Sequence, residues 1–340
     1  MRGSVATSMT IPLSILDLAP IAPGQTARES FAASVALAQA AEKHGYERVW
    51  YAEHHNMPTI GSSATSILIG HVAGQTSTIR LGSGGVMLPN HSPLVIAEQF
   101  GTLAELYPDR IDLGLGRAPG SDQNTARAMR RDPRASDQFP QDVMELQAYL
   151  RGHSIVPGVQ AVPGAGTNVP LYILGSSLFG AGLAAALGLP YAFASHFAPD
   201  ALHDAIALYR RDFTPSEQLA APHVIVAANV IAADDKANAV HQFETTRRTR
   251  VRGMLSRGPA TPEYSDDQID VFLTTPEGRN IANMMRYSAV GTADEVRAYL
   301  EEFVEGTGAD ELILAHQSPF IDGRLRSVEL TADAMNLVSA

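Results

Sequence analysis

The chain is expected to fold as an α/β protein, a (β/α)8 TIM barrel with insertion segments. Three observations lead there. Short apolar runs alternate with longer segments whose apolar residues recur at helical spacing, about eight times in succession. No interdomain linker interrupts the alternation. The length of 340 residues suits a single barrel with insertions. Strict strand–helix alternation implies a parallel sheet covered by helices, since parallel strands need a crossover to return. Eight units favour closure; an open doubly wound sheet is the alternative.

The elements follow in order. Ile11–Leu18 is a strand, ended by Pro20 and Pro23. Arg28–His44 is a helix stopped at Gly45, a C-cap signal. Tyr46–Ala52 is the second strand, followed by a helix over Ser63–Ser77. Ile79–Met87 is the third strand, and Pro93–Leu106 a helix with Pro at its start. Ile111–Leu115 is the fourth strand. Ala118 to Ala135 is rich in Gly, Pro, Arg and Asp, so it reads as a long loop or insertion before a helix over Gln141–Arg151. Pro157–Asn168 is a Gly/Pro-rich connection. Leu171–Leu174 and Tyr191–Ser195 are strands, each followed by a helix, Leu178–Leu187 and Pro199–Asp212. His223–Ala232 is a strand and Asp235–Arg248 a helix. Residues 252–290, with Gly258, Pro259, Pro262 and Pro276, read as polar and irregular. Thr292–Glu305 is a helix whose Thr292 and Glu295 form a capping box. Glu311–Ala315 is the last strand, and Val328–Val338 the last helix.

Composition narrows the functions. The chain has no Cys, which excludes disulfides, thiolate metal sites and a Cys nucleophile. A formal net charge of −11 argues against a nucleic-acid surface, which needs clustered Lys and Arg. No apolar run approaches the roughly 20 residues of a membrane span. Met1-Arg2-Gly3-Ser4 is not followed by the apolar stretch of a signal peptide. A cytoplasmic protein is therefore expected. Residues 1–10 are set apart as a disordered or expression-derived N-terminus, and residues 11–340 are assigned to the barrel as one domain.

In such a barrel the chemistry belongs to residues just after each strand. Glu53-His54-His55-Asn56 follows the second strand, and imidazoles there suit proton transfer near neutral pH. A shared metal ion is the competing reading, but alternation sends neighbouring side chains to opposite sides. No metal site is assigned. Gly82-Ser83-Gly84-Gly85 puts three Gly into one strand, a local cost that makes sense where a flat ligand approaches the backbone or where the strand bulges. Gly114-Leu115-Gly116-Arg117 has only the start of a dinucleotide fingerprint, and Pro119 opposes an immediate helix. Arg117 could hold a phosphate or sit in a surface ion pair. Gly175-Ser176-Ser177 opens a helix, where amide N–H groups, the dipole and Ser hydroxyls suit an anion; an ordinary N-cap is the plainer reading. Ser195-His196-Phe197 could line the mouth or pack as an aromatic edge. No Gly-x-Ser-x-Gly elbow occurs.

Taken together, these segments resemble the luciferase-like flavin-dependent monooxygenase family. The resemblance rests on Tyr46-Glu-Arg-Val-Trp-Tyr-Ala-Glu-His-His55, Leu81-Gly-Ser-Gly-Gly-Val-Met-Leu-Pro89 with His91-Ser-Pro93 and Ala97-Glu-Gln-Phe100, and Arg110-Ile-Asp-Leu-Gly-Leu-Gly-Arg-Ala-Pro-Gly120. Leu171-Tyr-Ile-Leu-Gly-Ser-Ser177, Gly188-Leu-Pro190 and Val290-Gly-Thr292 continue it in order, from about Ile11 to Ala315. It implies FMN bound non-covalently at the C-terminal mouth. The reduced form would meet O2 to give a C4a-peroxyflavin that oxygenates a small organic substrate. It further implies His54 as the catalytic histidine, a cis peptide at Gly84-Gly85 beneath the flavin ring, and a phosphate site of Arg117, Gly175, Ser176 and Ser177. Other implications are a separate NAD(P)H:flavin reductase and a homodimer built through the early helices. Gly116 stands where the luciferases have a crowding Cys, and Ser176 where they have a carboxylate. Light emission from a long aldehyde is therefore not implied, and Gly116 is expected to leave more room by the flavin. The alternatives are an F420-dependent oxidoreductase of the same barrel type, which wants extra cations such as Arg127, Arg130 and Arg131 near the mouth, and a non-catalytic flavin-binding protein.

Overall fold

A computed structural model describes residues 11–118, 122–132, 134–255 and 264–338. The expectations for residues 1–10, for Pro119 and Gly120, and for Gly258, Pro259 and Pro262 lie outside the described residues.

Nine strands are described: β1 (Leu13–Asp17), β2 (Arg48–Tyr51), β3 (Arg80–Met87), β4 (Ile111–Gly116), β5 (Leu171–Gly175), β6 (Tyr191–Phe193), β7 (Val224–Ala232), β8 (Ser288–Gly291) and β9 (Glu311–His316). The helices are α1 (Ala27–Lys43), α2 (Thr65–Ala73), α3 (Pro93–Leu106), α4 (Gln123–Ala128), α5 (Phe139–Leu150), α6 (Leu178–Leu187), α7 (Leu202–Asp212), α8 (Lys236–Leu255), α9 (Asp266–Leu273), α10 (Pro276–Asn283), α11 (Ala293–Thr307) and α12 (Ile321–Ala334). Strands β1 to β7 pair in sequence order, β7 pairs with β9, and β9 returns to β1, so eight parallel strands close the barrel. Asn229 and Val230 pair with both β8 and β9, which puts β8 on the edge of β7 opposite β9, above the end of β6.

The structure revises three expectations. The described residues of 252–290 are not irregular: α8 runs on to Leu255, α9 and α10 follow from Asp266, and Ser288–Gly291 is a strand. That strand has four residues, too few to show an alternation. Helix α8, expected over Asp235–Arg248, runs seven residues further, and those last turns are hidden because they are polar, with only Val251 buried among them. The Ala118–Ala135 stretch contains α4, started by the Asp122 carboxylate on the Asn124 and Thr125 amides. The last helix begins at Ile321, because its first turns bury Arg324 and Ser327 rather than apolar side chains.

Two apolar layers result from strand alternation. Ile15, Val49, Leu81, Leu113, Ile173, Val226 and Leu314 face the helices. Leu16, Trp50, Ala52, Tyr172, Ala192, Ile225, Ala227 and Ile313 fill the barrel. Gly82 and Gly84 belong to the inner set and make way for Trp50. A Cβ at Gly82 would stand 2.9 Å from Trp50 Cδ1, and one at Gly84 2.9 Å from Trp50 Cβ and 2.8 Å from Leu16 Cδ1.

The end where the strands begin is closed by charge. Buried Arg48 donates to Glu311 (Nε, 3.0 Å), Asp112 (Nη1, 2.8 Å) and the Tyr172 hydroxyl (2.8 Å). Asp112 also accepts from Trp50 Nε1 at 3.1 Å and from Arg80, and Glu311 from Ser14. Every member of this plug is paired, the condition under which buried charge is tolerated. The opposite end is left for chemistry.

Candidate active site

The site is built from strand ends. After β2, Glu53 is fully buried and acts as a clamp. It accepts from His55 Nε2 (2.8 Å), His91 Nε2 (2.9 Å) and the Met87 amide (3.0 Å). These hydrogen bonds hold its carboxyl down at about 2 despite burial. The clamp joins the tops of β2 and β3 and takes His55 out of play.

His54 is left alone. Its amide donates to the Ser62 carbonyl at 3.2 Å, while ring Nδ1 is buried with no hydrogen-bond partner. Burial pushes its pKa below the ordinary histidine value, helped by His55 and opposed by Glu53. It borders a cavity of about 280 Å³ with Asn56, Met57, Pro58, Ile60 and Ser63. A larger hollow, of about 530 Å³, lies by Gln147, Arg151 and Glu217 beyond α5. It contains no strand-end residue, so we place the site at His54. A buried polar atom without a partner carries a standing cost and marks a place for a ligand.

The peptide bond between Gly84 and Gly85 is cis, as the resemblance implies. Gly116 does not leave the expected room. A Cβ there would stand 2.9 Å from both Sδ and Cε of Met87, so the side chain of the neighbouring strand already fills that space. The cause is the irregularity between Ser83 and Val86, which brings Met87 opposite Gly116.

Arg117, exposed at the top of β4, lays its guanidinium over the Phe179 ring, 4.0 Å from Cζ to the ring centre. Phe179 is in the first turn of α6, directly after Gly175, Ser176 and Ser177. Ser177 is the N-cap residue, yet its side chain makes no capping bond, and the Ser176 hydroxyl has no partner among the described residues. One cation, two hydroxyls and a helix N-terminus thus come together from two separated segments, the ends of β4 and β5. That set can receive a phosphate. Of the other cations, Arg131 is occupied by the Pro89 carbonyl (3.1 Å) and Ser136 (2.6 Å), and Arg127 reaches Asn124 at 3.5 Å.

Sequence reasoning missed several members. Glu53 was passed over beside its histidines, although a carboxylate next to two imidazoles was a usable signal. His196 is buried, its Nδ1 has no partner, and burial with nearby Arg250 and His54 pushes it down to about 3. Asn229 donates to the His196 carbonyl at 2.9 Å and leaves its own Oδ1 without a partner. Arg250 comes from α8. His196 stands in the Ser195-His196-Phe197 segment already read as able to line the mouth; Asn229 and Arg250 carry no local motif, since only barrel closure brings them to His196. Among the described residues no group of three or more His, Asp or Glu side chains could hold a metal ion, and no helix is long and apolar enough to cross a membrane.

Comparison with known proteins matches residues 11–311 to the luciferase-like monooxygenase family model. An Escherichia coli K12 protein named luciferase-like monooxygenase is 50% identical over 329 residues, covering 96% of this chain and 98% of that protein. The solved structure of apo-MsnO8 superimposes with a TM-score of 0.85 at 36% identity, over 96% of this chain and 99% of that one. Two barrels below 20% identity share the fold alone. One is a type II Baeyer-Villiger monooxygenase in complex with FMN (TM-score 0.70, 17% identity, 95% of this chain and 97% of that one). The other is an F420-dependent secondary alcohol dehydrogenase (TM-score 0.69, 16% identity, 96% and 99%).

Proposed function

The chain belongs to the luciferase-like monooxygenase family, and from that membership we propose that it uses reduced FMN and O2 to oxygenate a small organic substrate. It is an oxidoreductase of the monooxygenase kind. The observation that carries the finer reading is the pairing of two half-sites on one rim. His54, after β2, keeps a buried Nδ1 without a partner, and Arg117 with Ser176 and Ser177 gathers anion donors at the top of β4 and β5.

In this reading Gly84 and Gly85 face the flavin ring, where no Cβ would fit in any case. Arg117, Gly175, Ser176 and Ser177 hold its phosphate. Reduced FMN, when bound, supplies the electrons with which O2 is activated. The protein's part is positional and protonic. Burial keeps His54 uncharged at neutral pH, so its ring can take up or pass on a proton at Nδ1. Glu53 holds the neighbouring loop so that the His54 backbone keeps its place. Helices α8 to α10 cover the rim and limit water. Residues 11–340 act as one domain. Reduced flavin comes from a separate NAD(P)H:flavin reductase, because the eight strands are all committed to one barrel. We also propose a cytoplasmic homodimer paired through α2 and α3, whose Ile67 and Leu106 are exposed.

The test is equilibrium titration of the pure protein with FMN, reduced FMN and F420. Saturable binding of reduced FMN, followed by oxygenation when reductase, NAD(P)H and O2 are added, is expected. Binding of F420 with no binding of either flavin form would remove the mechanism and leave a deazaflavin hydride carrier.

A further inference from the structure

Helix α8 does not run down the outside of the barrel. Thr246 Oγ1 donates to the carbonyl of Gln317, just past the top of β9, at 2.6 Å, and one turn later Arg250 acts on His196 beyond β6. The helix therefore lies over the top of β7, with one face turned to the rim. Its sequence holds Arg247, Arg248, Arg250 and Arg252. Three of them have carboxylates: Arg247 pairs with Glu244, Arg248 with Asp270 at 2.6 Å, and Arg252 with Asp266 at 2.6 Å. Arg250 has none. Its Nη1 is buried without a hydrogen-bond partner, and no described acid or carbonyl compensates it.

An unpaired buried guanidinium is costly, and a guanidinium cannot escape by losing its proton. The group it acts on is equally unserved: His196, buried beside it, keeps Nδ1 without a partner, and His54, whose Nδ1 is also unpartnered, acts on the same His196. In a chain of net charge −11, an anion approaches this rim only where a local cation receives it. The phosphate of a flavin is already provided for at Arg117, Ser176 and Ser177.

Resting on the flavin reading above, we propose that Arg250 is the anchor for an anionic group of the substrate, a carboxylate or a sulfonate, and that it holds the rest of a small substrate toward His54. The fork of the guanidinium suits two oxygens of such a group. Substrates of this enzyme are therefore small organic acids rather than neutral aldehydes or ketones, and Arg250 sets that preference.

The experiment compares wild type, Arg250→Gln and Arg250→Lys by calorimetry with four probes: FMN, riboflavin, propionate and propanesulfonate. The expected result is binding of propionate or propanesulfonate to wild type, weakened at least tenfold in R250Q and largely restored in R250K, with FMN affinity changed less than twofold. If R250Q lowers FMN affinity to that of riboflavin, the guanidinium serves the flavin phosphate and the proposal fails. Equal anion binding by wild type and R250Q overturns it as well. Anion binding that depends on Arg250 in a protein that binds neither flavin would sustain the anion site while removing the flavin reading. Circular dichroism of both variants checks that they are folded.

Discussion

Residue by residue, the site depends on what its histidines are denied. His55 and His91 are held by Glu53, whereas His54 and His196 each keep a buried nitrogen without a partner. Replacement of His54 by Ala is expected to lower product formation in the reductase-coupled assay by ~10²–10⁴-fold, the range of a general acid or base. FMN affinity should move by less than about threefold, since the phosphate donors lie elsewhere. Unchanged turnover would assign the proton to another group. His316 makes a stability prediction. Its Nδ1 bonds Ser327 Oγ at 2.8 Å, and burial, with Arg324 nearby, pushes its pKa down to about 3. The folded state therefore resists a proton that the unfolded chain accepts below about 6.5. Stability from this group is intact above that pH and is lost as pH falls toward 3. Urea unfolding at pH 7 and pH 5 should show a drop that is ~2 kcal/mol smaller in His316→Leu than in wild type, whatever the variant costs at pH 7. An identical drop would mean that His316 is not the group responsible.

Among the elements, the cap of α8, α9 and α10 is the informative one. Beyond the first part of α8 it escaped the apolar pattern, yet its attachments are visible as ion pairs and hydrogen bonds. Arg248–Asp270 and Arg252–Asp266 tie α8 to α9, and Arg286 and Asn283 reach Asp200 after β6 at 3.7 and 3.4 Å. Such exposed pairs are screened by solvent and contribute little to global stability. Replacing Asp266 and Asp270 together with Asn should therefore leave the global urea midpoint nearly unchanged. Amide hydrogen exchange across 236–283 should quicken, because the cap then opens without the barrel. Exchange that stays as slow as in the barrel strands would show that apolar packing around Val251 and Ile269, not charge, holds the cap.

At the scale of the whole molecule, the barrel has one plugged end and one open end. Arg48 bridges Asp112 and Glu311 within the plug, so Arg48→Met strands two buried carboxylates and should cost ~3–5 kcal/mol in urea unfolding. A loss below ~1 kcal/mol would mean that Arg80 and His223 compensate alone. The same geometry explains what was legible beforehand. All eight barrel strands and most outer helices could be read, because their apolar residues repeat at the periods that burial imposes. The glycine run in β3, the arginine at the top of β4 and the serines before α6 stood out as local oddities of composition. Strand β8, the last turns of α8, and α9 and α10 did not, being too short or too polar for periodicity to register. The partnerships stayed hidden for a different reason. Glu53 with His91, Met87 beside Gly116 and Arg250 facing His196 join residues far apart in the chain. Periodicity reports only which side of an element is buried. Which buried polar groups find a partner, and which are left waiting for a ligand, is settled when the closed barrel brings its strand ends together.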